Sequence, residues 1–332
     1  MATENPTLEL RNLRTEFRIG GSWHAAVRGV SLSVARDETL AVVGESGSGK
    51  SVTALSILRL LPSSGARHGG GSIFLEGKDL AALPEKKMAS VRGNEIAMIF
   101  QEPMTSLNPT MTIGDQIAEA IRQHRRLSWT KARAVALEVL EEVKIPGAAK
   151  RFHDYPHQFS GGMRQRVMIA MALACRPKVL LADEPTTALD VTIQAQILTL
   201  LDELKRAYGM SVVFITHNLG VVAQIADRVA VMYGGEIVEL ADAAALFARP
   251  THPYTEALLR AMPRVDTSAT SLAPIPGSVP AITDMPTGCT FAARCPLKEK
   301  ICEAEHPQLV PLGNGEHRVR CFVRARESGE QP

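Results

Sequence analysis

The chain has 332 residues, more than one hydrophobic core usually fills, so one large domain with an appendage, or two domains, is expected. It is 45% hydrophobic and 22% charged with a formal charge of +2, an ordinary globular balance that supplies no bulk argument for binding nucleic acid or an acidic surface. The opening stretch MATENPTLELRNLRTEF lacks the basic and apolar regions of a signal peptide, and no uncharged apolar run approaches the roughly 18 to 20 residues that cross a bilayer. A cytosolic chain is therefore expected, with any membrane role peripheral.

From about Leu8 to Leu240 short β-rich apolar runs alternate with helical patterns, as in an α/β sheet with crossover helices. LAVV (40–43), IAMIF (96–100), VLLAD (179–183) and SVVFIT (211–216) are the clearest buried strands. Each ends at a polar or glycine-containing turn, where open α/β sheets place their ligands. LAVV runs directly into Gly44, Glu45, Ser46, Gly47, Ser48, Gly49, Lys50 and Ser51, with Val52 following in the helical stretch SVTALSILRLL. This is a phosphate-binding loop in its proper strand–loop–helix setting. Its glycines let backbone N–H groups turn inward on phosphates, the helix N-terminus adds positive potential, Lys50 reaches the β and γ oxygens, and the Ser51 hydroxyl ligates Mg²⁺.

Between Gln101 and Ser160 the pattern becomes helical. In TKARAVALEVLEEVKIPG the residues Ala132, Val135, Ala136, Val139, Leu140 and Val143 keep 3–4 spacing until Pro146 and Gly147 end it, which predicts a helical subdomain inserted over about 102–160. VLLADEP then closes a buried strand on Asp183 and Glu184. Alone, such a pair is more often a helix cap or a solvated turn. Beside a phosphate loop it supplies a Mg²⁺ ligand in Asp183 and a carboxylate in Glu184 to polarise the attacking water. FSGGMRQR (159–166) precedes the apolar helix VMIAMALA, and His217 ends SVVFIT. DRVAVMYGGEIVEL (227–240) reads as a hairpin through Gly234 and Gly235. HPYTEALLRAM (252–262) is helical, and residues 263–288, rich in Pro, Ser and Thr, read as a linker.

Cys175, in MALAC, reads as a buried small hydrophobe. The other four cysteines, Cys289, Cys295, Cys302 and Cys321, follow C-x5-C-x6-C-x18-C. A reducing compartment disfavours disulfides and turns clustered thiols toward metal or redox chemistry. The spacing lacks the C-x2-C pairs of zinc ribbons and ferredoxins, yet four thiolates make a complete ligand set.

In order, the phosphate loop, Gln101, the Ser160-Gly161-Gly162 signature, the acidic strand end, Ala188-Leu189-Asp190 and His217 resemble the nucleotide-binding subunit of an ATP-binding cassette (ABC) transporter, over about residues 8–245. The resemblance implies an α/β P-loop NTPase core with an inserted helical subdomain, spanning 1–245, followed by a small cysteine-containing C-terminal extension, 246–332. It also implies that Phe17 stacks on adenine, with Trp23 as a rival, that Gln101 contacts Mg²⁺ and the water, and that His217 contacts the γ-phosphate. Ser160, Gly161 and Gly162 would face the ATP of a second subunit. With one phosphate loop and one signature per chain, hydrolysis then needs a dimer. Met163 stands where the family often has glutamine and leaves the serine and glycines intact.

QEPMTSLNPTMTIGDQI (101–117), SGGMRQRVMIAMALACRPK (160–178) and THPYTEALLRAMPRVD (251–266) are similar to the ATPase subunits of bacterial dipeptide/oligopeptide importers, relatives of which serve nickel or glutathione. That likeness implies a peripheral subunit on the cytoplasmic face of the inner membrane, partnered by a second ATPase subunit, two permease subunits and, indirectly, a substrate-binding protein, with no nucleic acid. Within this branch the four tail cysteines match positions that hold a [4Fe–4S] cluster, zinc being the second choice. A different class, a soluble iron–sulfur ABC ATPase acting on ribosomes or nucleic acid, is disfavoured by the single cassette and the lack of a basic patch.

Overall fold

The computed structural model describes residues 6–101, 106–187, 189–262, 275–313 and 315–330. In chain order the first elements are β1 (Leu8–Ile19), β2 (Ser22–Val34), β3 (Thr39–Val43), α1 (Lys50–Ile57), β4 (Ala66–Leu75), β5 (Lys78–Asp79), α2 (Glu85–Val91) and β6 (Ile96–Ile99). Helices α3 (Ile113–Arg125), α4 (Trp129–Glu142), α5 (Ala148–Arg151) and α6 (Gly161–Leu173) follow, then β7 (Val179–Asp183), α7 (Val191–Tyr208) and β8 (Ser211–Thr216). The rest is α8 (Leu219–Ile225), β9 (Arg228–Tyr233), β10 (Glu236–Asp242), α9 (Ala243–Ala248), α10 (Pro253–Arg260), α11 (Lys300–Ala304), β11 (Val310–Leu312), β12 (His317–Val319) and α12 (Phe322–Glu327).

The chain forms two compact units, one of Met1–Thr7, Ala35–Asp37 and Ala82–Val213, the other of Leu8–Val34, Glu38–Ala81 and Phe214–Pro332. In the first, β6 and β7 pair in parallel from Ile96 opposite Val179 to Ile99 opposite Ala182. Each of the five residues of β7 is buried. A strand with no polar face belongs inside a parallel sheet, where helices cover both sides. Several helices of this unit start at side-chain caps: Thr112 accepts from the Asp115 N–H before α3, and Ser128 from the Lys131 N–H before α4. The α4 stripe buries Ala132, Ala136, Val139 and Leu140, with Val135 at its half-buried margin. Val143 is buried just past the helix end, and Cys175 is buried as a small apolar side chain.

The second unit carries two sheets. One is antiparallel with order β2-β1-β4-β5. Its β1–β2 turn uses Gly20 and Gly21 at φ 58 and 87, the left-handed pair that lets a two-residue turn follow the strand twist. The other contains β11-β12-β10-β9-β3, with β3 parallel to β9 (Leu40 opposite Arg228) and β9–β10 an antiparallel hairpin turned by Gly234 and Gly235 at φ 54 and 84. Strand β12 pairs with β10, Glu239 opposite Val319. The C-terminal residues thereby extend the same sheet as β3, and the region from 246 onward lies within this unit. The core beneath it joins Val43, Val229, Val231, Tyr233 and Val238 from the strands to Leu246, Tyr254 and Phe291 from beyond them.

Three local departures from the sequence reading have physical causes. IAMIF stops at Ile99; Phe100 is 41% exposed. Helix 252–262 is Pro253–Arg260, because the His252 side chain caps it by accepting from the Tyr254 N–H and Pro253 then sits in the first turn. Of the stretch read as linker, 263–274 lies outside the described residues, while Ile275 and Val279 pack against the core. Among the described residues no helix is long and apolar enough to cross a membrane.

Candidate active site

In the second unit, buried β3 delivers the chain to Gly44. A Cβ on Gly44 would stand 2.1 Å from the Met232 carbonyl oxygen, and one on Gly49, at φ 102, would meet Ala26 O and Met232 Cε at 2.9 Å. The loop is thus pressed against β9 so closely that only hydrogen fits, which fixes its path before α1 begins. Lys50 is 6% exposed; its ammonium donates to Gly44 O (2.7 Å), Glu45 O (2.9 Å) and Ser48 Oγ (3.3 Å). A buried ammonium surrounded by oxygen acceptors is ready to exchange one of them for a phosphate oxygen. The β9–β10 turn supports the loop through Gly235 N–H to Ser48 O at 2.9 Å.

Two side chains from far along the chain also reach the loop. The Glu45 N–H donates to the Tyr254 hydroxyl at 2.8 Å, and the Arg294 guanidinium donates both arms to the Glu45 carboxylate at 2.6 and 3.0 Å. The sequence reading has no signal for either contact, since each spans more than two hundred residues. In the same unit His217 is exposed just past β8, and Asn218 caps α8 by accepting from Gly220 N and Val221 N. Phe17 is half-buried on β1, opposite His24 and Ala66, while Trp23 lies beneath the Arg67 guanidinium at 4.2 Å.

In the first unit Asp183 is 4% exposed at the end of β7. Glu184 follows at φ 48, a left-handed conformation that costs a side-chain-bearing residue about 1 kcal/mol, and its carboxylate accepts from Thr187 Oγ1 at 2.7 Å. Ser160 caps α6, its Oγ accepting from Met163 N at 3.4 Å, and Ser160 and Gly161 are exposed. A Cβ on Gly162 would stand 2.7 Å from Ile193 Cγ2, so the signature turn packs against α7. Asp190 caps α7 through Ile193 N, Gln101 is exposed beyond β6, and Ala188 lies outside the described residues. Gln101, Ser160–Gly162, Asp183, Glu184 and Asp190 therefore belong to the first unit, the phosphate loop, Phe17 and His217 to the second.

The tail cysteines are free thiols. Cys289 N–H donates to Cys302 O at 2.8 Å, and a Cβ on Gly288 would stand 2.4 Å from that same carbonyl. Burial pushes the Cys289 thiol up to about 12, the charges of Cys302, Cys321 and Cys295 adding to the shift, and burial likewise raises Cys295 and Cys321. Among the described residues no three His, Cys, Asp or Glu side chains stand close enough to hold one metal ion. Nothing in the described residues supports the [4Fe–4S] cluster expected from the resemblance.

Residues 27–187 match the family model described as ABC transporter, and residues 238–302 the one described as oligopeptide/dipeptide transporter, C-terminal region. The dipeptide transport ATP-binding protein DppD of Bacillus subtilis (strain 168) is 50% identical over 317 residues, covering 96% of this chain and 94% of that protein. The oligopeptide transport ATP-binding protein AppD of the same organism is 50% identical over 324 residues, 98% of each chain. Among solved structures, the ATP-binding cassette MJ0796, in a dimeric post-hydrolysis state bound to ADP and phosphate, matches with a TM-score of 0.64 at 28% identity, over 71% of this chain and 98% of that one. Cassette core, C-terminal region and near full-length identity agree: the chain belongs to the ATP-binding subunits of ABC transporters, in the branch with the oligopeptide/dipeptide C-terminal region.

Proposed function

We propose that this chain hydrolyses ATP to energise import of di- or oligopeptides, in a complex with a second ATPase subunit and two permease subunits at the cytoplasmic face of a bacterial inner membrane. The observation that carries the reading is the joint presence of a cassette and the peptide-type C-terminal region in one chain half identical to named peptide-transport ATPases. Residues 1–245 form the functional cassette and 246–332 the branch-specific extension. Nickel or glutathione as cargo is the alternative within this branch.

In this reading Lys50 and the loop N–H groups hold the β- and γ-phosphates, and the strained Glu184 orients the attacking water and draws off its proton. Ser51, Asp183 and Gln101 would hold Mg²⁺, which neutralises charge on the transferring phosphoryl group. His217 supports the γ-phosphate, Asp190 belongs to the nucleotide-binding set, and Phe17 stacks on the adenine. Because Ser160 and Gly161 are exposed at the start of α6, their N–H groups are available to the ATP of a partner subunit, and closure of two subunits around two nucleotides supplies the force on the permeases. Cys289, Cys295, Cys302 and Cys321 would hold a [4Fe–4S] cluster that staples the tail.

Capture from detergent-solubilised membranes should recover two polytopic proteins and a second cassette ATPase; ribosomes or nucleic acid in their place would overturn the transport reading. Glu184→Gln should keep ATP binding and abolish turnover, so undiminished hydrolysis removes Glu184 from its role. Protein purified without oxygen should absorb near about 400 nm and carry iron, and a colourless protein with one zinc would exclude the cluster.

A further inference from the structure

Glu45 raises a physical problem. It places a carboxylate on a loop whose purpose is to bind a triphosphate, and an anion there repels the nucleotide unless something neutralises it. The C-terminal region supplies the neutralising group. The Arg294 side chain is only 5% exposed, closes a two-armed ion pair on Glu45, and is itself held on both sides: Nε donates to Pro276 O at 2.7 Å and Nη2 to Ile275 O at 3.3 Å. Its guanidinium lies 5.7 and 5.9 Å from the Tyr233 and Phe291 rings. The part-buried hydrogen bonds to the Glu45 carboxylate hold the guanidinium in its charged form.

Tyr254 acts on the same residue from another direction. Its hydroxyl accepts the Glu45 N–H, and its ring packs edge-on against Tyr233 at 4.7 Å and tilted against Phe291 at 5.3 Å. Side chain and main chain of Glu45 are thus both gripped by residues that lie beyond the cassette model match. The turn carrying Arg294 (Ala292–Arg294) leads directly into Cys295, so order among the tail cysteines bears on the same arginine.

We propose that Arg294 and Tyr254 are positioning residues of the ATP site: the C-terminal region clamps the phosphate loop through Glu45, turning its carboxylate aside and neutralising it so that triphosphate binds. The inference rests on the phosphate-loop reading above and assigns the extension a direct part in nucleotide affinity.

Binding of trinitrophenyl-ATP to the full-length chain, with steady-state ATPase kinetics, tests it. Arg294→Ala should weaken nucleotide binding on the order of tenfold, because the unpaired Glu45 carboxylate is left on the anion site, and should raise KM more than it lowers kcat. Arg294→Lys, which keeps the charge but loses the fork, should fall between. Adding Glu45→Gln to Arg294→Ala should restore most of the lost affinity, since it removes the uncompensated charge. Parent-like affinity in Arg294→Ala overturns the clamp, as does a double variant as weak as Arg294→Ala, which would mean that Arg294 serves only tail folding. Lys50→Ala is the control: if it binds nucleotide like the parent, the phosphate-loop reading itself fails, a result distinct from failure of the clamp.

Discussion

Phe291 joins the C-terminal region to the sheet core, and Phe291→Ala measures how firmly. The side chain is 1% exposed and sits among three rings, with centroids at 5.2 Å to Tyr233, 5.3 Å to Tyr254 and 5.8 Å to His252. Truncating a fully buried phenylalanine costs about 3–5 kcal/mol. The edge-on contact to Tyr233 and the tilted contact to Tyr254 account for about 1–3 kcal/mol of that. Both tyrosines are fully buried and β9 is hydrogen-bonded to a strand on each side, so the gap has little means of closing and the upper half of the range applies. Phe291→Leu, which fills most of the volume, should lose about half as much. Urea unfolding followed by fluorescence is suited to the test, because the two tryptophans lie in different units: Trp23 in the second and Trp129 in the first. In a Trp129→Phe background the signal comes from the unit that contains Phe291. A loss below about 1 kcal/mol would show that the aromatic cluster does not fasten the tail, and the clamp on Glu45 would lose its support.

Two further outcomes follow from the same unit. Burial depresses His252 to about 4, so the unfolded chain, with an imidazole near 6.5, takes up a proton first as pH falls. Stability is therefore full above about pH 6.5 and drains away between there and pH 4, by up to about 3 kcal/mol. His252→Asn keeps an acceptor for the Tyr254 N–H and should flatten that part of the urea-midpoint profile; equal acid loss in parent and variant would refute the assignment. Gly44→Ala places a methyl group 2.1 Å from the Met232 carbonyl, which no rotamer relieves, so it should cut nucleotide affinity at least tenfold by displacing the loop, and normal binding would show that β9 yields.

The functional core was legible in the sequence because its chemistry is local. A phosphate loop needs glycines, lysine and serine at consecutive positions, and VLLAD ending in an acidic pair announces a buried strand with carboxylates at its tip; the structure has β3 and β7 at those places and α1 starting at Lys50. The α4 stripe was legible for the same reason, since helical periodicity is written every three or four residues. The β2-β1-β4-β5 sheet and the three-residue strands β11 and β12 were not, because a short strand takes its identity from a partner distant in sequence.

The sequence by itself determined the glycine-rich loop with its lysine and serine, the acidic pair at the end of β7, the Ser160-Gly161-Gly162 turn and the four tail thiols, all of which depend on residue type and near spacing. Only the tertiary structure decided that the C-terminal region shares a sheet with β3 and that Arg294 and Tyr254 close on Glu45. No periodicity records a contact across 209 or 249 residues; it comes into being when β12 pairs with β10 and the aromatic cluster closes around Phe291.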